Sequence, residues 1–93
     1  MTRESVSGRA ARITAGRGAG RIVLILREEE GRLLVADGRR IRAEKPKAKN
    51  QRHLVLLPYR AEEAFAASNR RLRELIRQAE EGIMDRRDYS AKG

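Results

Sequence analysis

The segment Ile22-Val23-Leu24-Ile25-Leu26 is the longest run of large apolar residues in the chain, and it constrains the fold more than any other feature. Five residues fall far short of the roughly 20 that a membrane span needs. β-Branched and aliphatic, and flanked by Arg21 and Arg27, they fit a strand covered on both faces. Such a strand needs material above and below it. A chain of 93 residues offers one small domain, burying only about 60% of its unfolded surface. One small β unit and one helix use it up.

The neighbouring segments supply the partners. Residues 9–14 predict a short strand in which the small Ala10 and Ala11 precede Ile13. Residues 15–20, Ala-Gly-Arg-Gly-Ala-Gly, carry glycine at alternate positions, which excludes a helix and permits positive φ or close backbone approach, so they predict a loop. Residues 21–27 form the core strand, residues 28–31 a charged turn, and residues 32–36 the antiparallel return. Asp37-Gly38 signals a type I′ hairpin turn. Residues 39–44 then predict a thinner strand around Ile41 and Ala43, residues 45–52 a polar connection, and residues 53–57 a last strand that ends at Pro58.

Beyond Pro58 the apolar period lengthens from two to three or four. A helix over residues 60–81 is expected, with Glu62 and Glu63 in its first turn, Phe65, Leu72, Leu75, Ile76 and Ala79 along one stripe, Gly82 as C-cap and Ile83 folding back. Arg70, Arg71, Arg73 and Arg77, interspersed with Glu74, Glu80 and Glu81, predict a solvated helix face, with a second RNA contact as the alternative. The expected fold is mainly β: a small five-stranded barrel or curled sheet over residues 8–57, then one amphipathic helix over 58–82. Residues 1–7 are expected to be a flexible N-terminus and 83–93 a loose tail.

The net charge is +9, and its distribution is uneven. Residues 1–60 hold fifteen Lys or Arg against six Asp or Glu, whereas residues 61–93 hold seven against seven. The whole excess lies on the β segment, which points to a polyanionic partner. Two clusters concentrate it. Gly16, Gly18 and Gly20 can turn backbone N–H groups toward one concavity, and Arg17 and Arg21 place guanidinium forks beside it, a combination suited to phosphate. Lys45, Lys47 and Lys49 form the second cluster. Arg12, Arg39, Arg40, Arg42, Arg52 and His53 border these clusters and complete the candidate phosphate-contacting set.

The aromatic residues narrow the partner further. Tyr59, Phe65 and Tyr89 are the only ones, and none lies in the segment expected to be the barrel. Bases have nothing there to stack on, so backbone and shape readout of structured RNA is expected, not single-strand reading, polyproline binding or methyl-lysine capture. Catalysis is not expected: His53 is the single histidine, Cys is absent, and no P-loop, zinc spacing or Ser-His-Asp arrangement is visible. Neither a cofactor, a metal nor a small-molecule substrate is implied. Residues 1–20 contain no apolar run resembling a signal sequence, so a cytoplasmic protein without membrane contact is expected.

From Gly8 to Leu54 the order strand, basic glycine loop, apolar strand, turn and further strand resembles the KOW domain of ribosomal proteins and transcription elongation factors. GRAARITAGRGAGRIVLILREEEGRLLVADG follows that order, with Gly20 at the near-obligatory glycine. AGRGAGR, VADGR and EKPKAKNQRHL more narrowly resemble small bacterial KOW-domain RNA-binding proteins related to large-subunit ribosomal proteins of archaea and eukaryotes. The chain departs from them at Gly18, where relatives are usually acidic, and at Ala10 and Ala11, where they are larger. The resemblance implies an SH3-like barrel that binds RNA, chiefly large-subunit ribosomal RNA, through the loop after the first strand, with ribosomal proteins as further contacts. The competing readings are a KOW module that docks on RNA polymerase or on a ribosomal protein, and nonspecific DNA binding, which predicts equal affinity for duplex DNA and structured RNA.

Overall fold

A computed structural model describes residues 6–92 of the chain. It contains five strands, β1 (Arg9–Ile13), β2 (Ile22–Glu29), β3 (Arg32–Ala36), β4 (Lys47–Asn50) and β5 (Leu54–Arg60), and one helix, α1 (Asn69–Lys92). Short 3₁₀ turns, Gln51–His53 and Glu62–Ala66, precede β5 and α1. All strand pairs are antiparallel, in the order β4-β3-β2-β1-β5. The edge strands β4 and β5 do not pair with each other, so the sheet is open.

The run that anchors the sequence does form the core strand. Val23, Leu24, Ile25 and Leu26 are all buried, and alternation along the strands divides the core between two faces. Ala10, Leu24, Leu26 and Ala36 face α1, where Leu72, Leu75 and Ala79 complete one cluster. Ala11, Ile13, Val23, Ile25, Leu33, Val35 and Leu54 form a second cluster on the other face. Leu26 is the extra residue of a bulge, since Ile25 opposes Val35 while Arg27 opposes Leu34. A bulge bends its strand and increases the twist. Val6, expected to be frayed, packs half-buried against the second cluster, whereas residues 1–5 and Gly93 lie outside the described residues.

The tight hairpin lies one turn earlier than expected. Glu30 (φ 50°) and Gly31 (φ 79°) both have positive φ, as a type I′ turn between β2 and β3 requires. At Asp37-Gly38 only the glycine does, and no strand follows before Lys47. The carboxylate of Asp37 accepts hydrogen bonds from Arg39 N (2.9 Å) and Ile41 N (3.0 Å), and the backbone N–H groups of Asp37 and Gly38 both donate to Ile41 O. These bonds close residues 37–41 into a loop and compete with any ladder there. The fourth strand is therefore Lys47–Asn50, inside the segment expected to be a connection, with Lys47 opposite Val35 and Lys49 opposite Leu33. Pro58 does not end β5. It lies where the register slips between Leu56↔Ala11 and Arg60↔Arg9, on an edge that needs no donor from it.

The helix also starts later than its apolar pattern implied. Ser68 Oγ accepts from Arg71 N (3.1 Å), an N-cap that fixes Asn69 as the first helical residue. Glu62 and Glu63 consequently lie in the preceding 3₁₀ turn, and Phe65 is 67% exposed, off the buried stripe. Gly82 keeps a helical conformation and α1 continues to Lys92, with no proline to stop it, so the expected C-cap is not found. The side chain of Ile83 lies outside the described residues.

The cluster under α1 is rich in alanine: Ala10, Ala36, Ala61, Ala64 and Ala79 are all nearly or fully buried, which brings helix and sheet close together. Leu72→Ala should destabilise the protein by about 2–5 kcal/mol, and Ala10→Leu by about 1–3 kcal/mol through overpacking. Urea unfolding measures both. Near-wild-type midpoints would show that α1 is not part of the core.

Candidate nucleic-acid interface

The glycine loop is a compact structure closed by its own backbone. Gly20 N donates to Ile13 O (2.7 Å), Ala19 N to Gly16 O (3.2 Å) and Arg21 N to Gly18 O (3.0 Å), while Ile13 N returns to Arg21 O (2.9 Å). Gly16, Gly18 and Gly20 all have positive φ, between 81° and 93°, which side chains at those positions would strain. Ala19 and Gly20 thus spend their N–H groups inside the loop, while Arg17 is exposed and Arg21 half-buried.

The sheet sorts the expected site residues into two groups. Lys47 and Lys49 project on the face of the second cluster, because their ladder partners Val35 and Leu33 belong to it. Lys49 Nζ reaches across to Arg17 O (3.5 Å), and Thr14 N donates to His53 O (2.9 Å). The lysine strand, the 3₁₀ turn carrying Arg52 and His53, and the Arg17 side of the glycine loop are therefore brought together. His53 enters through its backbone carbonyl and is half-buried; Arg52 is exposed on the same turn, whose N-cap is Asn50.

The second group lies on the opposite face. Arg12 pairs with Ile22 in the ladder and so points toward α1, where its Nη1 approaches Gly20 O (3.4 Å). Arg12, Arg21 and Arg39 form one wall of a cleft of about 680 Å³, and Arg70, Arg73 and Arg77 of α1 form the other. Ile22 and Ile76 are the apolar residues in its lining. Three acids also border it. Asp37 is engaged with the backbone of its own loop, Glu74 pairs with Arg71 (3.0 Å) and more distantly with Arg70 (3.9 Å), and Glu80 forms no ion pair among the described residues.

The three helix arginines, expected as a solvated face or a second RNA contact, lie outside the candidate set read from the β segment. Their spacing of three and four residues places them along one line beside the buried stripe, which the sequence displays, but the wall they face exists only after α1 docks. Arg71 lies apart from them: Glu63 (2.9 Å) and Glu74 hold its guanidinium, hydrogen bonds that push its pKa upward, and it lines a separate hollow with Tyr59 and Gln78.

Among the described residues, no carboxylate pairs with Arg12, Arg17, Arg21, Arg39, Arg40, Lys45, Lys47, Lys49, Arg52 or Arg77. Arg42 differs, since its Nε donates to Glu44 (3.0 Å), and it belongs to the clamp that holds residues 37–46. Asn69, the first residue of α1, accepts from Ala43 N (2.7 Å) and donates to Glu44 (2.9 Å), while Arg73 Nη1 donates to Gly38 O (2.9 Å). Gly38 has φ 80°, and a Cβ there would collide with Asn69 O, so the loop and the helix start approach as closely as backbones can. No protein-family model matches the chain, and no curated protein matches it.

The clamp should be sensitive to acid. The hydrogen bond from Asn69, with backbone and Arg42 contributions, lowers the Glu44 pKa from 4.5 to about 2. A carboxylate whose folded pKa is depressed stabilises the fold above its unfolded pKa and loses that contribution as pH falls toward the folded value. Between pH 5 and pH 2 the melting temperature should therefore decline, modestly because Glu44 is exposed, and Glu44→Gln should flatten part of that decline. Parallel wild-type and variant curves would remove Glu44 from the clamp.

Proposed function

We propose that this protein is a non-enzymatic, cytoplasmic RNA-binding protein of the KOW type, an SH3-like module that holds structured RNA, chiefly ribosomal RNA, by its phosphate backbone. One observation carries the reading: unpaired arginines and lysines converge on and around a single glycine loop, from β1, β4 and the segment between β3 and β4. Convergent like charges repel one another, and phosphate relieves the repulsion. Arginine forks match phosphate oxygens bidentately, and the lysines act as point charges along an exposed edge. The order of strand, glycine loop and apolar strand that resembles the KOW pattern coincides with β1, the loop and β2. Ribosomal proteins are further contacts in this reading. No helix of the described residues is long and apolar enough to cross a membrane.

A second reading rests on the opposite edge. Val55 (51% exposed) and Leu56 (41% exposed) lie on β5, whose outer side has no partner strand, and suit a protein ligand such as RNA polymerase or a ribosomal protein. Ribonuclease separates the two. Association with the large ribosomal subunit that ribonuclease abolishes supports RNA binding, and a ribonuclease-resistant complex with polymerase supports docking.

Binding to a structured RNA should show a log–log salt slope near about −5, from roughly five or six phosphate contacts. Arg17→Ala combined with Arg21→Ala should weaken it by at least about tenfold and shallow the slope by about 2. Arg27→Ala, whose guanidinium already pairs with Glu29 (2.9 Å), should leave both unchanged. Fluorescence anisotropy over 50–400 mM salt provides the measurement. Equal losses from the two variants would remove the loop from the interface.

A further inference from the structure

We infer that the cleft between the glycine loop and α1 is a second RNA-binding element, which takes a short unpaired stretch of backbone while the lysine strand and loop hold the neighbouring paired region. The inference rests on the RNA-binding reading and adds a site, a ligand geometry and a role for the helix.

Three observations carry it. The cleft has arginines on both walls: Arg12 and Arg21 come from the sheet side, and Arg70 and Arg77 from the helix. Of the acids at its border, Asp37 and Glu74 are engaged elsewhere by hydrogen bonds and ion pairs, so cations outnumber available carboxylates. An ordinary solvated helix face pairs its charges along itself, as Arg71 does with Glu74. Arg77 instead forms no ion pair among the described residues, and Arg70 has only the 3.9 Å approach to Glu74.

Size and lining select the ligand. About 680 Å³ is the volume of a small-molecule cleft and far too little for a duplex, but it admits a few nucleotides of extruded strand. No aromatic side chain lines it, so the contact is to phosphates, with guanidinium planes beside the bases. The two faces of the sheet then give two distinct contacts. Lys47, Lys49 and Arg17 meet one part of the RNA, and the arginine cleft receives a bulged segment that leaves the helix beside it.

The test compares a stem–loop RNA carrying a three-nucleotide bulge with the same stem fully paired, both titrated by anisotropy against the full chain. Arg70→Ala combined with Arg77→Ala should weaken binding to the bulged RNA by roughly tenfold and shallow its salt slope by about 1.4, at about 0.7 per single-strand phosphate, while affinity for the paired stem changes less than about twofold. Arg17→Ala combined with Lys47→Ala should weaken binding to both RNAs. Arg73 is left intact because it holds Gly38 O. Glu80→Gln guards against a folding artefact, since removing a negative charge from the cleft border should tighten binding to the bulged RNA by a few-fold, a gain that misfolding does not produce.

Unchanged affinity and slope in the helix variant, with losses in the loop variant, would overturn the cleft and leave RNA binding standing. The absence of a Glu80→Gln gain would overturn it as well. Inorganic tripolyphosphate that binds the cleft as tightly as the bulged RNA would assign it to free polyphosphate. A wild-type protein that binds neither RNA in a salt-dependent way would instead overturn the RNA-binding reading beneath it.

Discussion

The carboxylate of Asp37, buried and bonded to the N–H groups of Arg39 and Ile41, turns the chain at the end of β3, and much of the remaining structure depends on that turn. It stops the third strand from continuing into a hairpin and carries residues 39–44 under the start of α1. There Asn69 and Arg73 fasten the loop through Ala43, Glu44 and Gly38. A buried carboxylate is tolerable because it accepts more than one hydrogen bond where it sits. The outcome is geometric: the turn fixes Arg39 on the sheet side and the clamp fixes Arg70, Arg73 and Arg77 on the helix side, so one small set of bonds sets the width of the arginine cleft.

The alanine-rich cluster contributes the other half of that geometry. Ala10 lies under the helix in company with Ala36 and Ala79. Small residues there let α1 settle onto the sheet, and the depth of that settling determines how closely its arginines approach Arg12 and Arg21. The small side chain at Ala10 thus makes room for the helix above it.

Legibility in the sequence followed the range of the forces involved. β2 and β3 were readable because apolar content and alternation are local, and β3 matches its expected bounds. The glycine loop was readable because positive φ is a local demand. Residues 37–46 were not, since the Asp37 turn competes with a plausible strand and is stabilised by Asn69, 26 residues beyond Ala43. Lys47-Ala48-Lys49-Asn50 has no apolar content to mark a strand, and only the ladder to β3 makes it one. The true helix start had a local sign in Ser68, outweighed by the more conspicuous Glu62-Glu63 pair. Of the candidate site residues, their cationic character was legible, but their division between two faces was not, because it depends on strand register.

The open edge at β4 has a consequence for how copies of this protein behave toward each other. An unpaired strand presents a row of N–H and C=O groups that any other strand of suitable length could extend into a longer sheet. Here the strand is four residues long, and two of them are lysine. A second copy approaching edge to edge would bring ammonium against ammonium, with like charges facing across a new ladder. The side chains that would make this edge attractive to a polyanion would also make it repellent to the same edge of a second copy.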